Sequence, residues 1–390
     1  MYVSQPKGFE DGTDRVWKLK KSLYGLKQSP RCWNERLDNF IRGQGFQQSK
    51  SDPCLYVRNK NGNKLIIVCY VDDGLVAGSN LAEVTDFLKK LESEFKIKVS
   101  TVDCYLGIKI DRHENGNIVL SQRAYVEKLL SKFGMVDANP VKTPIEVSGS
   151  CEDGKPLDKK VPYREAIGSL IYLASGTRPD IAFAVSSAAQ DVEKPTDLSW
   201  RKVKRIFRYV KGTIDFSLVY RHGQKREIIG FSDADYATDK SRHSRSGVLC
   251  TYAGCTLTWL SQKQKCISVS TMEAEYVAAS EAAKQLVWLK RLLQEIATGT
   301  GKPKLFVDNL SAVRLARNPE FHFKSKHIDV RHHFVREKVK LGELEVKHIE
   351  GERQLADILT KTLPSPRFGT LAKSISDVSH MNFEGVLEES

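Results

Sequence analysis

Leu65-Ile66-Ile67-Val68-Cys69-Tyr70-Val71-Asp72-Asp73-Gly74 drives an apolar run straight into two adjacent aspartates. Residues 65–71 are rich in β-branched and aromatic side chains and apolar on both alternating faces. This predicts a strand covered on both sides. Leu75-Val76-Ala77-Gly78 returns as a second strand, with the hairpin turning at Asp-Gly. As a plain turn, the pair has both carboxylates in water. An uncompensated carboxylate beside a packed core is costly, however, and two carboxylates at a rigid turn are the oxygen donors that a pair of Mg²⁺ ions takes. The run is far shorter than the ~20 residues of a spanning helix, so no membrane partner is expected.

Upstream, Asn59-Lys60-Asn61-Gly62-Asn63 joins this strand to an apolar run at 54–57. Asn-Gly between such runs signals a hairpin. Ser29-Pro30 predicts a helix start, with Ser as N-cap and Pro at the first helical position. Trp33, Leu37, Phe40 and Ile41 share its apolar face. Downstream, Val84, Phe87, Leu88, Leu91 and Phe95 mark an amphipathic helix. A hairpin at Asn115-Gly116 and a helix over 123–133 follow. Residues 136–154 are rich in Pro, Gly and Ser and predict a boundary. A mostly helical stretch, 162–210, carries Arg201, Lys202, Lys204, Arg205 and Arg208, which read plainly as a solvated face or as a phosphate cradle. Strands at 227–233, 246–253 and 256–262, a long helix from Ser270, a strand at 304–307, helices from 309 and over 327–340, a strand at 343–348 and a helix over 352–363 predict an α/β layer. Beyond Pro364 little pattern is visible.

The chain has 390 residues. Its length is more than one ordinary domain holds and predicts two or three. Hydrophobic residues make up 41% and charged residues 28%, a balance that excludes wholesale disorder. Lys plus Arg at 61 against Asp plus Glu at 48 leaves a net charge of +13. That excess suits a phosphate-bearing partner. The first twelve residues carry no secretory pattern. The eight cysteines are scattered, without a C-x-x-C pair. They argue against a disulfide framework and a structural zinc site, and predict reduced thiols.

A second carboxylate set lies in the last region. Ile229, Phe231, Asp233 and Asp235 share a strand face by alternation, so Asp235 rivals Asp233. Ser270 and Glu273 form a capping box, which gives Glu273 a structural task and leaves Glu275 without one. Ala278, Ala279 and Ala282 allow that helix close to the sheet, bringing Glu275 towards Asp233. Asp308 is either a helix N-cap or a ligand, and Asp357 reads alone as a solvated helix position. His327, His332 and His333, without a Cys partner, read as phosphate contacts or plain surface.

Together these motifs resemble the copia-type LTR retrotransposon Pol polyprotein over most of the chain. Tyr70-Val71-Asp72-Asp73 resembles the catalytic hairpin of reverse transcriptases. The 22–30 segment SLYGLKQSP resembles the family's template- and nucleotide-positioning motif, and Gln5 to Phe9, 105–108 and 120–122 match the same family. Ser232 to Ala237, 270–276, Val307-Asp308-Asn309, 326–331 and Leu355-Ala356-Asp357 resemble its RNase H domain. The resemblance implies a multidomain α/β and α+β chain: a partial reverse-transcriptase palm and thumb at 1–135, a helical connection at 136–226, an RNase H-like α/β domain at 227–364 and a tail at 365–390. It implies catalytic, Mg²⁺-binding roles for Asp72 and Asp73 in DNA synthesis, and for Asp233, Glu275, Asp308 and Asp357 in RNA hydrolysis. Two Mg²⁺ ions per site, with Mn²⁺ as substitute, are the implied cofactors. Tyr24, Gly25, Lys27 and Gln28, with the basic run, become nucleic-acid or nucleotide contacts. His348 becomes an aid to product release. RNA template, DNA primer, RNA–DNA hybrid, dNTPs and other Pol segments are the implied partners, in a cytoplasmic particle or the nucleus. The family's first metal-binding Asp lies on a strand before Gln5, so this chain is expected not to polymerise efficiently. A relic or domesticated nucleic-acid-binding protein is the alternative. A DDE transposase is disfavoured by the upstream hairpin.

Overall fold

The computed structural model describes residues 1–147, 154–237, 241–297, 299–317 and 334–381. The 326–331 motif and His327, His332 and His333 lie outside them. The chain divides into two compact units, Met1–Ser100 and Thr101–Ser390.

In the first unit, β1 (Tyr2–Val3) pairs antiparallel with β2 (Trp17–Lys18). Helix α1 (Ser29–Gly43) precedes β3 (Gln47–Gln48), β4 (Leu55–Lys60), β5 (Asn63–Tyr70) and β6 (Asp73–Gly78), which form one antiparallel sheet in that order, and α2 (Leu81–Glu94) follows. Asn61 and Gly62 turn the chain at φ of 50° and 79°. That is the tight turn Asn-Gly favours. Both helices bring their apolar stripes to one face of the sheet, where Ile41, Phe46, Tyr56, Leu65, Ile67 and Phe87 form the core. Ile66 and Val68 point the other way and stay half-buried. Cover on both faces, expected from composition, is therefore not what this unit shows.

The Asp72–Asp73 hairpin turns two residues earlier than expected. Tyr70 pairs with Asp73, so Val71 and Asp72 are the two turn residues, and Val71 takes φ of 57°. A β-branched residue in the left-handed region costs about 1–3 kcal/mol. Trp33 Nε1 donates to Val71 O at 2.9 Å, an α1 contact that holds the turn. The N-cap of α1 is likewise Gln28, without a side-chain bond, while the Ser29 hydroxyl donates to Leu23 O.

In the second unit, β7 (Cys104–Tyr105), β8 (Ile108–Arg112) and β9 (Ile118–Ser121) lead to α3 (Arg123–Lys132). Helices α4 (Tyr163–Gly176), α5 (Ala182–Ala189) and α6 (Asp197–Gly212) then lead to β10 (Ser217–Tyr220), which pairs with β9. Residues 101–135, read above with the first domain, thus pair and pack inside the second unit. There follow β11 (Ile228–Asp235), β12 (Arg245–Tyr252), β13 (Cys255–Lys263), α7 (Thr271–Ile296), β14 (Lys304–Val307), α8 (Leu310–Arg317), α9 (334–340) and β15 (Glu345–His348). The sheet order is β13-β12-β11-β14-β15, antiparallel through β11 and parallel beyond it. This is the RNase H-like α/β arrangement.

Two expectations for the C-terminal part fail. The 352–363 helix is instead two 3₁₀ turns, Gly351–Arg353 and Leu355–Leu359. The expected tail holds α10 (Ser365–Ser376), whose Phe368, Leu371, Ala372 and Ile375 are buried. Their spacing is that of one helical face. One face of the five-stranded sheet (Ile229, Phe231, Leu249) shares a core with α3 to α6, the 3₁₀ turn at 355–359 and α10. The other face (Ile228, Val248, Cys250) packs on α7 and α8. Connection, RNase H-like domain and α10 are therefore one packed body.

Candidate active site

β11 carries Asp233 into this packing, and its side chain has no exposure. Asp308 follows β14. Asn309 Oδ1 accepts from Ala312 N at 3.0 Å and so caps α8. This leaves Asp308 without the capping task considered for it. Asp357 stands in the 3₁₀ turn at 355–359, which is fastened to β11 by Gln354 Nε2 donating to Ser232 O at 2.9 Å. Asp233, Asp308 and Asp357 each offer an oxygen within 4.8 Å of the others, the one such acidic group among the described residues. Gly247, opposite Asp233 on β12, makes the approach possible: a Cβ there would lie 2.6 Å from Thr360 Cγ2 and 2.9 Å from Ala356 O.

Glu275 reaches the same region from α7. Ser270 Oγ accepts from Glu273 N at 3.2 Å and Glu273 Oε2 from Val269 N at 2.7 Å. Ala274 and Ala278, packed on Ala234, bring the helix close to β11. Glu275 is buried, and its Oε2 has no hydrogen-bond partner among the described residues. Asp235, half-buried at the strand end opposite Arg245, is not in the cluster.

Three cationic or hydroxyl groups that sequence reasoning missed hold the carboxylates. Lys361 Nζ lies 2.8 Å from Asp233 Oδ1 and 2.9 Å from Asp357 Oδ1. Thr360 Oγ1 donates to Asp233 Oδ2, and Arg367 Nη2, from α10, to Asp357 Oδ2 at 3.3 Å. The i,i+4 spacing of Asp357 and Lys361 was the available signal; nothing local pointed to Arg367.

Crowding of acids in low dielectric sets the charge state. Burial, then Asp233 and Asp308, push the Glu275 carboxyl up to about 9. Burial, then Asp233, push Asp308 up to about 6. Burial also raises Asp233, against the pull of Lys361. Burial alone would lower Lys361, but Asp233 and Asp357 hold its ammonium above its usual value. The all-oxygen donor set and the unpartnered Glu275 Oε2 fit a hard divalent cation, which Asp233, Glu275, Asp308 and Asp357 would hold.

A pH dependence follows. Above about pH 4 the folded chain keeps a proton on Asp308 up to about 6, and one on Glu275 up to about 9, that the unfolded chain has released. Their contribution to stability is therefore complete below the unfolded values, and it is lost as pH rises through about 6 and then about 9. In EDTA, the Tm should fall across this window, and Glu275→Gln should flatten the fall. An unchanged slope in the variant removes Glu275 from the account.

Asp72 and Asp73 are exposed at their turn, and among the described residues no further acidic, His or Cys side chain completes a group with them. Tyr24, Gly25, Lys27 and Gln28 lie on an exposed loop, Gly25 at φ of 90°. The basic run on α6 splits. Arg205 bonds Glu146 at 2.6 Å and Arg208 donates to Asn139 O at 2.6 Å, so both fasten the 139–146 segment. Arg201, Lys202 and Lys204 face solvent. His348 Nε2 lies 3.1 Å from Asp308 O, at the cluster's rim.

Residues 1–147 match the family model of reverse transcriptase (RNA-dependent DNA polymerase). The chain is 38% identical over 382 residues to the retrovirus-related Pol polyprotein from transposon TNT 1-94 of Nicotiana tabacum, covering 94% of this chain but only 29% of that protein. It is 33% identical over 293 residues to a transposon Ty5-1 protein of Saccharomyces cerevisiae, covering 73% of this chain and 95% of that protein. Among solved structures, the foamy viral protease-reverse transcriptase in complex with RNA/DNA hybrid is 13% identical, with 90% of this chain and 40% of that chain covered at a TM-score of 0.47. On the identity and near-complete coverage of the yeast transposon protein, and the reverse-transcriptase match upstream, the chain belongs to the retrovirus-related Pol family of transposons.

Proposed function

We propose that the second unit hydrolyses the RNA strand of RNA–DNA hybrids with Mg²⁺, and that the first unit carries the catalytic hairpin of RNA-directed DNA synthesis. The observation that carries the first part is the buried Asp233, Asp308, Asp357 cluster with the unpartnered Glu275 beside it. Divalent ions bound there would supply an activated water and charge neutralisation at the leaving 3′-oxygen. The chain's own groups do the rest. Thr360 and Arg367 each engage one oxygen of Asp233 and Asp357, fixing the orientation of the other. Glu275, its carboxyl pushed up to about 9 by burial and the neighbouring acids, would have to release its proton to serve as a ligand. His348 donates Nε2–H to Asp308 O. A carbonyl only accepts, so this bond fixes the ring beside Asp308 with Nε2 as its donor. The test is cleavage of labelled RNA in a hybrid by the complete chain, expected with Mg²⁺ and absent in EDTA. Intact hybrid under both conditions defeats the reading, and hybrid bound but uncut favours the nucleic-acid-binding alternative.

Hybrid affinity should be steeply salt-dependent, given the +13 charge. Neutralising Arg201, Lys202 and Lys204 together should reduce the slope of log affinity against log salt by about 0.7–0.9 for each lost phosphate contact. An unchanged slope makes α6 a solvated face.

For Asp72 and Asp73 we infer an incomplete site within this chain. Template, primer and dNTPs are its substrates by family. In-line transfer needs two metals about 3.5–4 Å apart. Among the described residues, no third carboxylate joins Asp72 and Asp73 at their exposed turn. Primer extension by residues 1–390 should be near background. Robust extension would show that a third ligand has been overlooked.

A further inference from the structure

Lys361 occupies a position that the proposed metal chemistry does not use. Its Nζ bridges Asp233 Oδ1 at 2.8 Å and Asp357 Oδ1 at 2.9 Å. The second oxygen of each carboxylate is already engaged, Asp233 Oδ2 by Thr360 and Asp357 Oδ2 by Arg367. The two Oδ1 atoms are the oxygens of these aspartates that neither Thr360 nor Arg367 engages, and the ammonium sits on both. A divalent ion joining Asp233 to Asp357 and the Lys361 ammonium claim the same atoms. The Lys361 side chain is 36% exposed. Its flexible four-carbon stem gives it a way out towards solvent.

We propose that Lys361 is an internal competitor of the divalent cation: it screens the carboxylates from one another and must leave them for the metal to bind, which raises the metal concentration the site requires. This rests on the metal-dependent reading of the same cluster. It assigns Lys361 a positioning role, exercised through the metal ligands and without a step of its own in phosphodiester hydrolysis.

The probe is Mn²⁺ alone, with free ion counted by electron paramagnetic resonance against the complete chain. Lys361→Met keeps the length of the stem and removes the charge. It should bind Mn²⁺ about tenfold more tightly, roughly the effect of removing one close competing charge near a protein surface after screening. Its Tm in EDTA should be lower than that of the parent, and its gain in Tm on adding Mn²⁺ larger. Lys361→Arg keeps a cation and should behave like the parent in both measurements. A side chain that merely supports the fold would lower the Tm in Lys361→Met and leave Mn²⁺ affinity unchanged or weaker, and that result overturns the proposal. Asp233→Asn is the control that separates the two levels. If it leaves Mn²⁺ binding intact, the metal reading fails and the competition falls with it. If it abolishes binding while Lys361→Met changes nothing, only the competition fails.

Discussion

Asp233→Asn should lower Mg²⁺-dependent cleavage of hybrid RNA about a thousandfold or more, equivalent to roughly 4 kcal/mol of transition-state stabilisation. Asn fills the same volume, so the packing of β11 against the 355–359 turn is preserved and the circular dichroism spectrum should not change. The substitution removes the charge of the one cluster acid with no exposure, the acid that Lys361 and Thr360 both address. Glu275→Gln should have a comparable effect, because Glu275 supplies the buried oxygen that nothing among the described residues satisfies. Asp235→Asn should keep most activity, since Asp235 lies outside the cluster. Full cleavage by Asp233→Asn would reverse the assignment between the two aspartates.

A chain ending at Pro364 should fail to fold its second unit. Phe368, Leu371 and Ile375 of α10 are buried. At about 1.5–3 kcal/mol each, their loss rivals the ~5–15 kcal/mol by which a whole domain is stable. Thr256 Oγ1 donates to Ile375 O at 2.7 Å, and Arg221 pairs with Asp377 at 2.6 Å; both partners go as well. Arg367 leaves Asp357 with them. The same reasoning bars an excised 227–364 fragment, which would expose the sheet face shared with α3 to α6. Limited proteolysis should show residues 101–364 degraded while the complete chain resists. A cooperative thermal transition in the shortened chain would show that α10 is dispensable.

Much of this was legible in the sequence because it is local. Asn61-Gly62 demands a tight turn, Ser270 and Glu273 cap α7, and the alternation of Ile229, Phe231 and Asp233 places one carboxylate on one sheet face. The misreadings have tertiary causes. The first hairpin turns at Val71-Asp72 because Trp33, on another element, holds a conformation Val would not choose. The apolar residues of β5 suggested two covered faces, yet α1 and α2 both land on one. Phe368, Leu371, Ala372 and Ile375 have helical spacing, but a short run after a proline looked like a tail. Asp357 was read on a helix and stands in a 3₁₀ turn, fastened by Gln354 from below. Lys361 is hinted at only by its i,i+4 spacing from Asp357, and Arg367 belongs to the site through a contact that no local spacing encodes. The cluster's carboxylates were visible as chemistry, and the groups holding them only as geometry.

The closure of the second unit by α10 has a consequence for how the protein is made. Ser376 donates to Ser217 O across 159 positions, and Thr256 to Ile375 O across 119. On the ribosome, the strands and helices of Met1–Ser100 can pair as soon as they emerge, because they form a compact unit by themselves. The second body must hold its sheet and helices half-assembled until α10 has been translated, a long interval with apolar surface uncovered. The carboxylate cluster, with Arg367 arriving last of its members, can therefore be completed only when synthesis of this stretch is over, after the Asp72–Asp73 hairpin of the first unit has had time to form.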